Sequence, residues 1–279
     1  MTPGLILLLL GAAALHAAWN AVVKAAPAQR TEVILVALAA ALMAGSALPF
    51  LPLPARGAWP YLAASVLLQF IYFQLLGLIY RFGELSYVYP LMRGTAPLVT
   101  ALAGTVAIGE RLGDGGWAGV LLLSSGVLLL GIDNWRSRPM RGRLTGFGVL
   151  NACVIAGYTI VDGIGIRVST TPWSYIAWLF FLNSAPLLLQ NVQQVQGLVQ
   201  YAAARWRTVL LCGLFMVISY GIALWAMTLA PLAMVAALRE TSVLFATAFA
   251  AVFLRERFGV VRYLAAALVT AGAVAMKLG

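Results

Sequence analysis

Three observations predict an all-α polytopic membrane protein, ten transmembrane helices arranged as two inverted five-helix repeats. First, the 279 residues are 63% hydrophobic and only 9% charged, whereas a soluble domain carries roughly 25% charged residues. Second, the apolar residues fall into ten runs, approximately 3–24, 33–51, 59–80, 85–108, 116–132, 146–166, 173–190, 207–228, 231–254 and 260–277. Most approach the ~20 residues that cross the hydrocarbon as helix, and 116–132 stands at the short limit of ~17. Third, the stretch from Tyr87 to Leu130 is written twice. Under a constant shift of 146 positions Arg93 falls on Arg239, Thr95 on Thr241, Leu98 on Leu244, Glu110 on Glu256, Arg111 on Arg257, Gly113 on Gly259 and Gly126 on Gly272. Each half holds five runs, an odd number, so the second copy enters the membrane from the opposite face. The connections are too short to hold a soluble domain. The expectation is one transmembrane domain over 1–279, with repeat one at 1–132, a linker at 133–145 and repeat two at 146–279.

The net charge of +10 does not point to nucleic acid, because the basic residues form no soluble face. They report topology instead. Alternate connections hold twelve basic residues on one side (Lys24, Arg30, Arg81, Arg136, Arg138, Arg141, Arg143, Arg205, Arg207, Arg255, Arg257, Arg262) and four on the other (Arg56, Arg111, Arg167, Lys277). The positive-inside rule then puts the linker in the cytoplasm and both termini outside. Cys153 and Cys212 both lie within apolar runs, which suits packing better than a disulfide or a metal site. The apolar N-terminal run lacks a basic start and continues past its small residues, so it reads as an uncleaved first span.

In the first helix His16, Asn20 and Lys24 recur at steps of four beside Trp19, which stacks them on one face. Polar groups in hydrocarbon turn toward the protein or a wet cavity, although His16 and Asn20 could equally bond neighbouring helices and Lys24 could snorkel to the interface. The second run ends in PFLPLP, where proline stops the helix. The third places Gln69, Tyr72 and Gln74 in its middle and Tyr80 near its end, so one face is expected on a polar space. The fourth carries Arg93 two turns inside, with Pro97 removing the hydrogen bond to residue 93's carbonyl. An arginine there should meet an acid, a carbonyl or a ligand anion. GERLGDGG then permits a tight return into the fifth helix, where Gly119 and Gly126 suit close packing on a neighbour.

In the second half Tyr158 takes Trp19's place under a shift of 139, and Asp162 lies near the equivalent of Lys24. The seventh run contains Trp178 and Asn183. Its continuation, NVQQVQGLVQYAAARW, reads as an amphipathic helix on the membrane surface. The eighth run carries Tyr220 and Trp225. The ninth, opening at Pro231, holds Arg239, Glu240, Thr241 and Ser242 within one turn. Arg239 and Glu240 are neighbours, hence about 100° apart around a helix and not a face-to-face pair. Arg93 and Arg239 are expected to be the charged centre, carried by the inverted repeat into opposite halves of the membrane, one toward each gate.

The segments HAAWNAVVK at 16–24, PLMRGTAPLVTALAGTVAIGERL at 90–112 and ALRETSVLFATAFAAVFLRERF at 237–258 resemble the drug/metabolite transporter superfamily in its ten-helix EamA form, over essentially the whole chain. The resemblance implies a five-plus-five bundle with alternating access. It also implies a secondary transporter that moves small metabolites out of the cell, amino acids or related amphipathic solutes first among them, across a bacterial inner membrane. Efflux of hydrophobic cations is the alternative. The related small multidrug exporters depend on a glutamate in their first helix, where this chain has His16 and no acid. Substrate-binding candidates are Trp19, Asn20, Gln69, Tyr72, Tyr80, Arg93, Tyr158, Trp178, Tyr220, Trp225 and Arg239; coupling or gating candidates are His16, Lys24, Asp162 and Glu240. The expected partners are a small-molecule substrate and the lipid bilayer, with the chain a monomer or homodimer. An enzyme would need a convergent catalytic set, and one histidine with two separated cysteines offers neither that nor a metal site. No cofactor is expected. No G-x-x-x-x-G-K-[ST] loop occurs, so transport would be facilitated diffusion or driven by an ion gradient. For proton coupling, His16, Asp162 and Glu240 are the intramembrane candidates.

Overall fold

The computed structural model describes residues 1–81, 85–132, 141–254 and 259–278. The linker residues 133–140, Glu256 with its flanking Arg255 and Arg257, and the side chains of Tyr80 and Arg81 lie outside the described residues. Within them the chain is helical: α1 Pro3–Lys24, α2 Gln29–Ala47, α3 Trp59–Arg81, α4 Leu85–Ala107, α5 Asp114–Ile132, α6 Arg141–Val168, α7 Pro172–Asn191, α8 Val195–Ala226, α9 Leu232–Glu240, α10 Ser242–Leu254 and α11 Val260–Leu278. Seven stretches of the described residues are long and apolar enough to cross a membrane, the longest of them, Pro172–Ala226, holding both α7 and α8. Leu7, Leu42, Leu67, Leu102, Leu189 and Leu264 are all more than half exposed. An apolar exterior of this kind belongs in lipid.

Two apolar runs differ from their expected shape. The run at 231–254 is broken at Thr241, which turns its backbone N–H (3.2 Å) and its hydroxyl (2.6 Å) onto the Leu238 carbonyl. Pro231 is the residue before the helix rather than its first position. The amphipathic continuation of α7 is joined to the eighth span, and one non-helical residue, Arg205 (φ −127°, ψ 18°), separates them. Val192, Val195, Val199 and Trp206 of that segment are exposed, while Leu198 packs on Ile34, Leu35 and Ala39 of α2. The segment is pinned by Glu32, fully buried, which accepts bonds from Tyr201 Oη (2.7 Å) and Arg205 Nε (2.9 Å).

Small residues set the packing. α5 lies against α11, where a Cβ on Gly126 would come within 2.8 Å of Val269 Cγ2 and 2.9 Å of the Ala265 carbonyl, and one on Gly272 within 2.9 Å of the Gly119 carbonyl. Backbones can approach so closely only where side chains are missing. α4 packs on α5, α6 and α9; α1 packs on α8, α9 and α10; α3 packs on α6 and α7. The Met1 amino group reaches the Met276 carbonyl at 3.4 Å, so both termini share one face. The middle of the bundle is thereby bounded by α1, α4, α6, α8 and the break between α9 and α10.

Candidate functional site

At the α9–α10 break, charged side chains meet from several helices. Arg93 is about 12 Å along α4 from Leu85, and Arg239 a similar distance along α9, at 1.5 Å per residue. Both helices therefore deliver a guanidinium near the middle of a ~30 Å hydrocarbon layer. Arg93 Nε stands 2.6 Å from Glu240 Oε2, with each side chain 5% exposed. Neither atom makes a directed hydrogen bond, so this is an ion pair held by charge and not by an aligned fork. Arg93 Nη2 also lies 3.4 Å from His16 Nε2 and donates to Ser242 Oγ at 3.4 Å. The Tyr89 ring is 5.7 Å from the guanidinium.

Arg239 is placed differently. Its guanidinium lies over the Tyr220 ring at 4.6 Å, a cation–π contact. It lines a narrow cleft together with Ala12, Ala13, His16, Ser219 and Tyr220. Tyr220 continues the network by donating to Asp162 Oδ2 at 2.6 Å, while Tyr175 donates to Oδ1 at 2.9 Å. Asp162 is fully buried. Gly165, one helical turn on, leaves the space that the Tyr175 ring fills, since a Cβ there would come within 2.5 Å of that ring.

Around one centre the fold thus gathers His16, Arg93, Asp162, Tyr220, Arg239 and Glu240, with Tyr158 packed on Tyr72 at its edge (6.1 Å between rings). Two positive and two negative side chains balance. The two arginines, expected one toward each gate, both stand beside His16, Arg93 at 3.4 Å and Arg239 across the cleft that it and His16 line. The physical reason is their depth, because two turns from either face both end near the midplane.

Other candidates fall elsewhere. Lys24 is exposed at the end of α1, and Gln74 is exposed on α3. Asn20 turns its amide onto the His16 carbonyl of its own helix at 2.8 Å. Trp19 meets His16 edge-on at 5.3 Å but is buried against Val23, Val36 and Cys212, with no partner for its indole N–H. Gln69 bonds Ser65 and Asn183 at 3.0 and 3.1 Å, a structural bridge between α3 and α7. Trp178 packs on Trp59 (5.0 Å) and Phe181. Trp225 packs at the edge of the main apolar core and its carbonyl accepts from Thr228. Tyr175 and Ser242 take part without having been among the site candidates from sequence, although Ser242 stands in the same turn as Arg239 and Glu240. Tyr175 lies close to the start of its helix, where a tyrosine looks like an interfacial anchor, and the glycines of DGIGIR were its one available signal.

Comparisons with known proteins agree with this architecture. Residues 145–278 match the model of the EamA-like transporter family. A 47-residue segment is 45% identical to the spermidine export protein MdtI of Klebsiella pneumoniae, covering 17% of this chain and 43% of that relative. The chain therefore spans less than half the length of the curated relative that it matches. A protein crystal structure superimposes with a TM-score of 0.73 over 98% of this chain and 95% of that one; at 16% identity the likeness shows the fold alone.

Proposed function

Through residues 145–278 the chain belongs to the EamA-like transporter family, and from that premise we propose a secondary transporter of zwitterionic metabolites, amino acids or related amphipathic solutes, that exports them from a bacterial cell by alternating access. Its ten spans would form two inverted repeats, 1–132 and 146–279. The carrying observation is the charge-balanced set Arg93, Arg239, Asp162 and Glu240 beside a break between two half-helices, the kind of place where transporters hold substrate. A substrate carboxylate suits Arg239, the guanidinium that lines the cleft with only an aromatic ring beneath it. The substrate's amine suits Glu240, whose contact with Arg93 is undirected and hence easily exchanged.

Entry of such a ligand replaces protein–protein pairs by protein–ligand pairs, so the central charges stay compensated while the helices part. His16, Asp162 and Glu240 remain the groups through which a proton gradient would act. The spermidine exporter in Klebsiella favours a second reading, a cationic substrate held by Asp162 and Glu240. Against it, Arg239 faces the cleft and repels cations.

The test is purified protein in liposomes, offered labelled amino acids, spermidine and quaternary ammonium compounds. Saturable amino-acid flux that falls about tenfold or more in Arg239→Lys, which keeps the charge but loses the planar fork, is the expected result. Selective transport of the cations overturns the proposal.

A further inference from the structure

The acid at the end of α4 holds a position that the central charges do not explain. α4 ends in a turn at Gly109, whose φ of +65° favours glycine, and the N–H groups of Ile108 and Glu110 both bond the Gly104 carbonyl, at 3.2 and 3.1 Å. That turn aims Glu110, 11% exposed, at the second half of the chain. Its Oε1 and Oε2 accept from the backbone N–H of Leu232 at 3.1 and 2.9 Å. Oε1 also accepts from Arg167 Nη2 at 2.9 Å. Arg167 completes the cluster by donating to the carbonyls of Met227 (2.8 Å) and Ala230 (3.2 Å). Leu232 opens α9, and Pro231 before it supplies no side-chain cap. Glu110 is therefore the cap of that helix, delivered from far along the chain to the end where the helix dipole favours a carboxylate. The same helix ends in Arg239 and Glu240.

We infer that Glu110 is a positioning residue for the central charges and the latch of the membrane face that carries both termini. Alternating access parts contacts between the two halves at one face while the other stays closed. The Glu110 cluster is a contact of that kind, one side chain from residues 1–132 held by groups from 146–279. α9 spans about 12 Å as one short rigid helix. Release of its first residue lets its last two move relative to His16 and Arg93, so latch and site shift together. The opposite face has its own tie, Glu32 to Tyr201 and Arg205. The inference rests on the transport reading above.

A cysteine in the cleft reports the latch. Ser219→Cys is placed in a background carrying Cys153→Ser and Cys212→Ala, and a membrane-impermeant maleimide is applied to right-side-out and to inside-out vesicles, without substrate. Glu110→Gln removes the ion pair and weakens the cap, whereas Arg167→Gln leaves the cap in place; monodisperse elution from size exclusion verifies folding of each. Labelling from the face of the termini rises about fivefold in both variants, a modest population shift, and labelling from the other face does not rise. Unchanged one-sided labelling in a folded variant, whatever its thermal stability, overturns the latch. If Glu110→Gln does not assemble, Arg167→Gln decides by the same criterion. Because labelling needs no substrate, its failure leaves the transport reading standing, and absence of amino-acid flux from an unmodified protein with the expected labelling counts against that reading alone.

Discussion

Glu240→Gln removes the negative partner from the most deeply buried ion pair among the described residues, and its cost follows from the geometry. The two side chains are each 5% exposed and in contact at 2.6 Å, which puts the charge centres ~4 Å apart; at an effective dielectric of about 20 that separation gives an attraction of about 4 kcal/mol. Loss of one partner from a buried pair costs about 3–5 kcal/mol, because the other charge is left uncompensated. Here Arg93 would keep His16 and Ser242, both at 3.4 Å, and the Tyr89 ring at 5.7 Å, none of them an anion, and a second guanidinium, Arg239, lies nearby. Glu240→Gln should therefore destabilise the protein by about 3–5 kcal/mol. Replacing both partners, Arg93→Met with Glu240→Leu, should recover most of that stability, since neither charge is then stranded, while transport is abolished. The assay is reversible unfolding in mixed micelles by a denaturing detergent, run as a double-mutant cycle. A Glu240→Gln cost below about 1 kcal/mol, or a double variant as unstable as the sum of the singles, would refute the reasoning.

Two further outcomes are expected. Gly126→Ala should cost about 1–3 kcal/mol by overpacking, because its Cβ would stand 2.8 Å from Val269 Cγ2 and 2.9 Å from the Ala265 carbonyl; the same unfolding assay checks it, and no change would deny the close approach of α5 and α11. Tyr220→Phe keeps the ring beneath Arg239 but removes one of the hydrogen bonds to the buried Asp162 carboxylate; a lost hydrogen bond of this kind costs about 1–3 kcal/mol, so amino-acid flux in liposomes should fall about tenfold. Unaltered flux would take Asp162 out of the site.

Sequence by itself determined the membrane class, the helices and where polar groups enter hydrocarbon, because those properties are local. Hydropathy over some twenty residues decides a span, and the spacing of Gly119 and Gly126 already announced a close-packed face. It also indicated that Arg93 must meet a compensating group, since burial of a lone guanidinium is costly wherever it occurs. Which group it meets was decided by the tertiary structure. Arg239 and Glu240 are adjacent in the chain yet about 100° apart on the helix, so one faces Arg93 and the other the Tyr220 ring. The break at Thr241 and the kink at Arg205 were illegible, because both lie in stretches whose residues are compatible with helix; Thr241 turns back onto Leu238 of its own helix, while Arg205 is drawn to Glu32 of α2. The same applies to Tyr175, Glu32 and Glu110, each of which looks in sequence like an interfacial or helix-end residue. Their roles are set by bonds to groups far along the chain, and only the packing of α4, α6, α8 and α9 against one another brings those groups within reach.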